Sequence, residues 1–169
     1  MSELADRQLV ALAEVASLLD SGGFDHWLFG GWAVDFHVGA VTRSHDDVDL
    51  AIWADDAEAI HSALVAAGWE HRPAVEEDGG SGYARNDVRV ELTYVAGNES
   101  GQVFVALRDG NVLWTECPLG HLVLELHGAR IRVISLELLK DGKSRPRSEP
   151  AEAAVDRADF AALSRLAPE

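Results

Sequence analysis

Asp47 and Asp49 are the residues of this chain best placed to do chemistry. They stand two residues apart at the head of the apolar stretch 50–53. In a strand, side chains two residues apart point to the same face of the sheet. Neighbouring carboxylates repel each other, so such a pair usually holds a divalent cation or shares a proton, and oxygen ligands favour Mg²⁺ or Mn²⁺. Taken alone, the pair could also be ordinary solvated carboxylates at a strand end.

Two adjacent glycines, Gly30 and Gly31, lie upstream between an apolar segment (25–29) and a helical one (31–38). The backbone N–H groups of a glycine turn and the positive end of a helix both suit phosphate. Paired glycines end many strands, so the signal depends on this position. A phosphate site beside a divalent cation indicates a nucleoside triphosphate.

Glu91 is a third candidate acid. It lies in the alternating segment 88–95, where its apolar neighbours suit the core and Glu91 takes the opposite face. If this strand lies beside the one that carries Asp47 and Asp49, Glu91 becomes a third carboxylate over the metal and a general base toward a hydroxyl group. If it does not, Glu91 is a charge on a solvated face.

Basic residues that could neutralise a triphosphate are few in this acidic chain. Only the two beside the aspartates, Arg43 and His45, stand out from ordinary surface charge. The candidates are Arg43, His45, Lys143, Arg145 and Arg147. Cys117 is the only cysteine, and the histidines lack the spacing of a zinc motif, so a zinc site is not supported.

Length and charge restrict the class of protein. The 169 residues predict one domain (1–169) with a C-terminal helical segment (135–166), as a monomer or homodimer. A net charge of -15 disfavours nucleic acid and favours a cationic small molecule, although acidity can also serve solubility alone. No apolar run approaches the ~18 residues of a membrane span and no signal-peptide pattern is present, so we expect a cytoplasmic protein without a membrane partner.

Hydrophobic periodicity and turn residues predict an α/β (α+β) fold, a mixed β-sheet flanked by helices. The expected helices are 3–20, 31–38, 55–67, 135–143 and 151–166. The expected strands are 25–29, 47–53, 88–95, 102–107, 122–126 and 130–134. The last two are expected to form a hairpin. The acidic, glycine-rich segment 76–82 is the expected mobile loop.

Taken together, these motifs resemble the nucleotidyltransferase superfamily, with its strand, glycine turn, helix and D-x-D. They resemble most the single-domain antibiotic nucleotidyltransferases, which adenylylate lincosamides or the 2″-hydroxyl of aminoglycosides. Those enzymes carry G-G-W-x-h-D, T-R-x-H and D-h-D in this order, as residues 30–35, 42–45 and 47–49 do here. The family's C-terminal pattern I-S-x-E, K and D-x-x-D-h matches Ile134, Ser135, Glu137, Lys143, Asp156 and Asp159.

The resemblance implies a role for each candidate. The metal ligands are Asp47, Asp49 and Glu91, and the same three acids are the expected catalytic residues. The triphosphate contacts are Gly30, Gly31, Arg43, His45 and Lys143. Two departures stand out: the third acid is commonly Asp in the family, and the serine of the wider superfamily's G-S motif is Gly31 here.

The expected activity is transfer of a nucleoside monophosphate, AMP from ATP, to a hydroxyl group of a cationic small molecule, an aminoglycoside or a lincosamide. The acceptor is expected in a pocket walled partly by segment 76–82. One alternative is a nucleotidyltransferase that modifies a protein or tRNA, as in toxin–antitoxin systems; the acidic charge argues against tRNA only. Another is a non-catalytic binder of a cationic ligand, which has no need of three clustered acids.

Overall fold

A computed structural model describes residues 2–73 and 78–166. Within these ranges the helices are α1 (Glu3–Ser21), α2 (Gly30–Val38), α3 (Ala57–Ala66), α4 (Leu136–Ser144) and α5 (Pro150–Leu163). The strands are β1 (His26–Phe29), β2 (Val48–Trp53), β3 (Glu70–His71), β4 (Gly80–Arg85), β5 (Val88–Gly97), β6 (Val103–Val105), β7 (Val112–Thr115), β8 (Val123–Leu126) and β9 (Ala129–Arg132). None of the helices in the described ranges has the length and apolar character needed to cross a membrane.

The main sheet is mixed, which confirms the expected fold class. Its strands run in the order β1-β2-β5-β4-β3, and β6 pairs with both β5 and β7. The central pair, β2 and β5, is parallel, whereas the other pairs are antiparallel. Parallel neighbours need a crossover connection, and here the chain between them contains α3, β3 and β4.

The core lies where helices cover the apolar face of the sheet. Val48, Leu50 and Ile52 alternate along β2 and are fully buried. The amphipathic spacing of α1 places Leu12 and Leu19 in the same core. Burial of these apolar side chains stabilises the sheet.

Two local features form as the sequence predicts, the N-terminal cap of α4 and the β8–β9 hairpin. The Ser135 side chain caps α4 by accepting a hydrogen bond from the backbone N–H of Leu138 at 3.2 Å, as predicted. The β8–β9 hairpin also forms as predicted, and its two turn residues, His127 and Gly128, adopt positive φ angles of 48° and 82°. Two consecutive positive φ angles are typical of the tight turn that joins twisted antiparallel strands.

The prediction of a mobile loop over 76–82 is wrong in its described part. Residues 74–77 lie outside the described ranges, but Gly80–Arg85 forms β4 and pairs along its length with β5. A strand ladder is made by backbone groups, and glycine brings the two backbones close. A Cβ atom on Gly80 would collide with the carbonyl oxygen of Leu92.

Several element boundaries differ from expectation. Strand β2 begins at Val48, so Asp47 lies one residue before it, and α5 spans Pro150–Leu163 with the proline in its first turn. Strand β6 is shorter than predicted, and β3 and β7 were not predicted. The missed strands are short and lack clear alternation, the signal on which sequence-based prediction depends.

Candidate functional site

The acidic residues meet on adjacent strands. In the parallel pairing of β2 with β5, Asp49 stands directly beside Glu91, and on its other side it faces Phe29 of β1. The strand of Glu91 therefore lies beside the strand that carries Asp49, which is the arrangement on which the proposed role of Glu91 depends. Asp47 and Asp49 line the same cavity, in agreement with the expected shared face.

Asp49 is the most perturbed carboxyl group of the site. Burial raises its pKa, the negative charges of Asp47 and Glu91 raise it further, and Lys143 and Arg43 oppose the rise, with a net pKa of about 7. A buried carboxylate beside two others is costly to ionise. A cation bound there would remove that cost.

Glu91 lies beside Asp49 but pairs with a residue outside the cavity wall. Its carboxylate accepts a hydrogen bond from Arg89 at 2.8 Å, and about a third of its side chain (35%) is exposed. It does not belong to the cavity wall formed by the described residues. Over residues 2–73 and 78–166, no three His, Cys, Asp or Glu side chains converge tightly enough to form a metal site. Metal ligation by all three acids thus remains a prediction.

The glycine pair is fixed by close contacts on both sides. Gly30 has a φ of +69°, which disfavours other residues, and a Cβ atom there would collide with the Asp49 carboxylate. A Cβ atom on Gly31 would lie 2.5 Å from Arg43 Nη2 and from His45 Nδ1. The turn is therefore packed against both the D-x-D segment and the basic pair, which leaves no room for the serine of the wider superfamily.

His45 lies beneath this turn and is buried. Its Nε2 atom is 2.6 Å from Asp35 Oδ2, and its ring stacks at 4.6 Å on Trp32. Asp35 is fully buried in α2 and also accepts the backbone N–H of Thr42 at 3.0 Å. Sequence analysis did not identify Asp35 as a site residue, although it belongs to the first family motif.

Arg43 and Lys143 are tied to two carboxylates of α5. Arg43 donates from Nε and Nη2 to the two oxygens of Asp159, at 3.1 and 3.0 Å. Lys143 Nζ lies 2.9 Å from Asp156 Oδ1 and 2.9 Å from Asp159 Oδ2. Arg147 donates to the second oxygen of Asp156 at 2.6 Å. Three cations thus share two carboxylates, a group that we call the α5 ion cluster.

These features surround one cavity of about 860 Å³. Its acidic and glycine side is formed by residues of β1, α2 and β2, and its basic side by the end of α4 and the start of α5. Arg145, which follows α4, lines it and pairs with Asp141 at 2.6 Å. The candidates that line it are Gly30, Gly31, Arg43, His45, Asp47, Asp49, Lys143, Arg145 and Arg147.

Two aromatic residues that sequence analysis did not select, Phe29 and Trp114, form one wall of this cavity. Trp114 of β7 meets Phe29 edge to face, with ring centroids 5.5 Å apart, and both line the cavity. Strand β7 gave no sequence signal, so nothing directed attention to Trp114. Residues 78–82 do not line this cavity, and the contribution of segment 76–82 to an acceptor pocket stays a prediction.

Comparison with known proteins agrees with this geometry. The sequence model of the aminoglycoside-2''-adenylyltransferase family matches residues 11–163. Curated 2''-aminoglycoside nucleotidyltransferases from Klebsiella pneumoniae and Escherichia coli are 40% identical to this chain over 43 residues. That segment is 25% of this chain, and the chain spans about a quarter (24%) of the length of those relatives.

Solved structures share the fold at low identity. Lincomycin-bound LnuA, a lincosamide antibiotic adenylyltransferase, superposes with a TM-score of 0.72 at 19% identity, covering 92% of this chain and 96% of that one. ANT(2'')-Ia in complex with adenylyl-2''-tobramycin gives a TM-score of 0.67 at 19% identity, covering 93% and 87%. Because the family match extends over nearly the whole chain, this protein belongs to the aminoglycoside-2''-adenylyltransferase family.

Proposed function

We propose that this protein is a metal-dependent nucleotidyltransferase that transfers AMP from ATP to a hydroxyl group of a small molecule, an aminoglycoside or a lincosamide. One observation carries the proposal: the two aspartates, the glycine turn and the basic side chains open into the same cavity. Family membership supports the same activity. The cytoplasm, where ATP and Mg²⁺ are abundant, is the proposed compartment.

The donor set fits a divalent cation that prefers oxygen. Asp47 and Asp49 offer carboxylate oxygens at the cavity, and the raised pKa of Asp49, caused first by its burial, reflects negative charge without enough compensation. Mg²⁺ or Mn²⁺ bound there supplies charge neutralisation for the phosphates and a lower pKa for an acceptor hydroxyl. Glu91 joins the ligands if its carboxylate turns from Arg89 toward Asp49.

The protein residues have distinct proposed tasks. Backbone N–H groups at Gly30 and Gly31 bind the triphosphate at the start of α2. The acceptor oxygen forms a bond to the α-phosphorus as the bond from that phosphorus to the bridging oxygen breaks. Glu91 takes the hydroxyl proton, and pyrophosphate leaves with its charge stabilised by Lys143.

Structural neighbours, net charge and the aromatic wall together support an aminoglycoside or a lincosamide as the acceptor. Two structural neighbours were solved with lincomycin and with adenylyl-2''-tobramycin. A protein of net charge -15 attracts a polycation over long range. The aromatic pair Phe29 and Trp114 gives the cavity an apolar wall that suits the rings of such a molecule.

The direct test measures pyrophosphate release from each of the four nucleoside triphosphates with Mg²⁺ and a panel of aminoglycosides and lincosamides. We expect release that depends on ATP and on one acceptor class, and a product heavier than the acceptor by one AMP. Asp49→Asn is the negative control. Binding of ATP without transfer to any of these acceptors would contradict the proposed acceptor class. Labelling of a protein or RNA in a cell lysate would identify the macromolecular alternative.

A further inference from the structure

Lys143 is held by two carboxylates that come from the same face of one helix. Asp156 and Asp159 are three residues apart on α5, and their oxygens each lie 2.9 Å from Lys143 Nζ. All three side chains are at least nine-tenths buried, with 10%, 8% and 3% of the side chains of Lys143, Asp156 and Asp159 exposed. An ammonium group placed this deeply has little freedom to turn.

The geometry fixes what Lys143 can still do. An ammonium group has three N–H donors in a tetrahedral arrangement. Once two of them point at fixed acceptors, the direction of the third is set. Lys143 lines the same cavity as Gly30, Gly31 and Asp49, the cavity in which the triphosphate is proposed to bind.

We propose that Asp156 and Asp159 are positioning residues of the triphosphate subsite, which aim the third N–H of Lys143 at a phosphate of the nucleotide. This inference rests on the proposed function, because it takes Lys143 as a triphosphate contact. Asp159 has a second task in the same subsite. It holds the guanidinium of Arg43 through both oxygens, so that α5 is joined to the basic side chain that packs on Gly31.

Positioning must be separated from two simpler roles, namely neutralising the cations and holding α5 in place. Substitution of Asp156 by Asn and by Ala makes this separation. Both variants remove the same negative charge, but the amide oxygen of Asn can still accept from Lys143, while Ala cannot. Arg147, the other partner of Asp156, is about half exposed (47%) and can turn away from the amide nitrogen. Alanine favours the helix, so α5 is not weakened by its backbone preference.

The experiment measures binding by calorimetry, in the presence of Mg²⁺ and without acceptor, for tripolyphosphate and for AMP. We expect Asp156→Ala to bind tripolyphosphate roughly tenfold or more weakly than Asp156→Asn, the range for loss of one charge-assisted hydrogen bond. AMP lacks the β- and γ-phosphates and should bind both variants equally. Asp25 provides the matched control: it pairs with Arg132 at 2.6 Å away from this cavity, and its Asn and Ala variants should bind tripolyphosphate equally.

Equal tripolyphosphate affinities of the two Asp156 variants would overturn the proposal and leave a role in charge alone. Parallel loss of tripolyphosphate and AMP binding would reduce the pair to a support for α5. If Asp156→Ala does not fold by circular dichroism, Asp159→Asn and Asp159→Ala make the same comparison. Wild-type protein that binds tripolyphosphate but transfers AMP to no acceptor would refute the proposed function and not this inference. Wild-type protein that binds no tripolyphosphate would refute the inference.

Discussion

Two groups of carboxylates, one on the sheet and one on α5, lie at or beside the cavity and differ in their electrostatic surroundings. At the sheet, burial and the charges of Asp47 and Glu91 raise the pKa of Asp49 to about 7. On α5, burial also acts to raise the pKa of Asp159, but hydrogen bonds from Arg43 and Lys143 outweigh it and the pKa is lowered. The same type of side chain is thus either short of positive charge or saturated with it.

This difference predicts different roles for the two groups. A carboxylate that accepts no hydrogen bond from a protein cation is a candidate metal ligand, because a bound cation offsets the cost of its burial. A carboxylate with several cations has no capacity left for a metal and instead fixes the positions of its partners. Perturbed pKa values mark functional sites in both directions, and the sign of the perturbation indicates which kind of role to test.

The largest expected effect comes from the sheet group. Asp47→Asn or Asp49→Asn should abolish turnover with the best acceptor while circular dichroism stays that of the wild type, because metal ligation needs the charge and packing needs only the shape. Asp55→Asn, an exposed acid in the turn that follows β2, is the control and should keep full activity. Substantial turnover in both variants of the pair would remove the metal assignment.

Glu91→Gln should reduce turnover by roughly 10²–10⁴-fold, the range for a lost general base, with ATP binding nearly unchanged. The reason is its place beside Asp49 in the strand register. Arg89→Gln, which removes the pairing partner of Glu91, should not reproduce this loss. Unchanged turnover in Glu91→Gln would return Glu91 to a solvated face and restrict the acids of the site to the two aspartates.

How much of this arrangement can be predicted from sequence depends on how local the signal is. The D-x-D pair, the glycine turn and the alternating strand of Glu91 lie in short segments with clear periodicity, and the structure brings them together. The α5 ion cluster is different. Arg43 and Asp159 are 116 residues apart, and no periodicity in either segment indicates that they pair; only the resemblance marked Asp156 and Asp159 at all.

The errors have equally physical causes. Segment 76–82 is predicted as a loop because glycine and acidic residues are typical of turns, yet residues 80–82 belong to β4, whose backbone pairs with β5. Trp114 was missed because β7 has four residues and no alternating pattern.

Removal of charge from the saturated group should lower stability. Asp159→Leu leaves Arg43 and Lys143 without their shared carboxylate, and loss of one partner of a buried ion pair costs about 3–5 kcal/mol. For a chain of this size that corresponds to a fall in Tm of roughly 10 °C, measured by thermal unfolding at pH 7. Asp25→Leu removes a half-exposed carboxylate from an ion pair and should cost much less; equal losses would contradict the contrast in burial.

Lowering the pH should reduce the contribution of Asp159 to stability, because the pKa of Asp159 is lowered in the folded state. The folded state binds the proton of Asp159 less tightly than the unfolded chain does, so its contribution is present above the ordinary aspartate pKa of about 4 and is lost as the pH falls through the folded pKa. The Tm difference between wild type and Asp159→Leu should therefore narrow on acidification below about pH 4. A constant difference would contradict the ionised state of Asp159.

The smallest effect has the opposite sign and comes from the sheet group. In metal-free protein with EDTA, Asp49→Asn should raise the Tm at pH 8 by a few degrees, because it removes a charge whose burial cost Lys143 and Arg43 offset only in part. The folded state holds the proton of Asp49 more tightly than the unfolded chain, so the charged form reduces stability as the pH rises from about 4 through 7. The gain should therefore shrink on acidification to pH 5, where wild-type Asp49 is protonated when folded.

With Mg²⁺ and ATP present, the wild type should have a higher Tm than Asp49→Asn, since the wild type gains stability from the bound ligands and the variant does not. A variant that is less stable than wild type in EDTA would show that Asp49 is already compensated within the protein, and the contrast with α5 would fail.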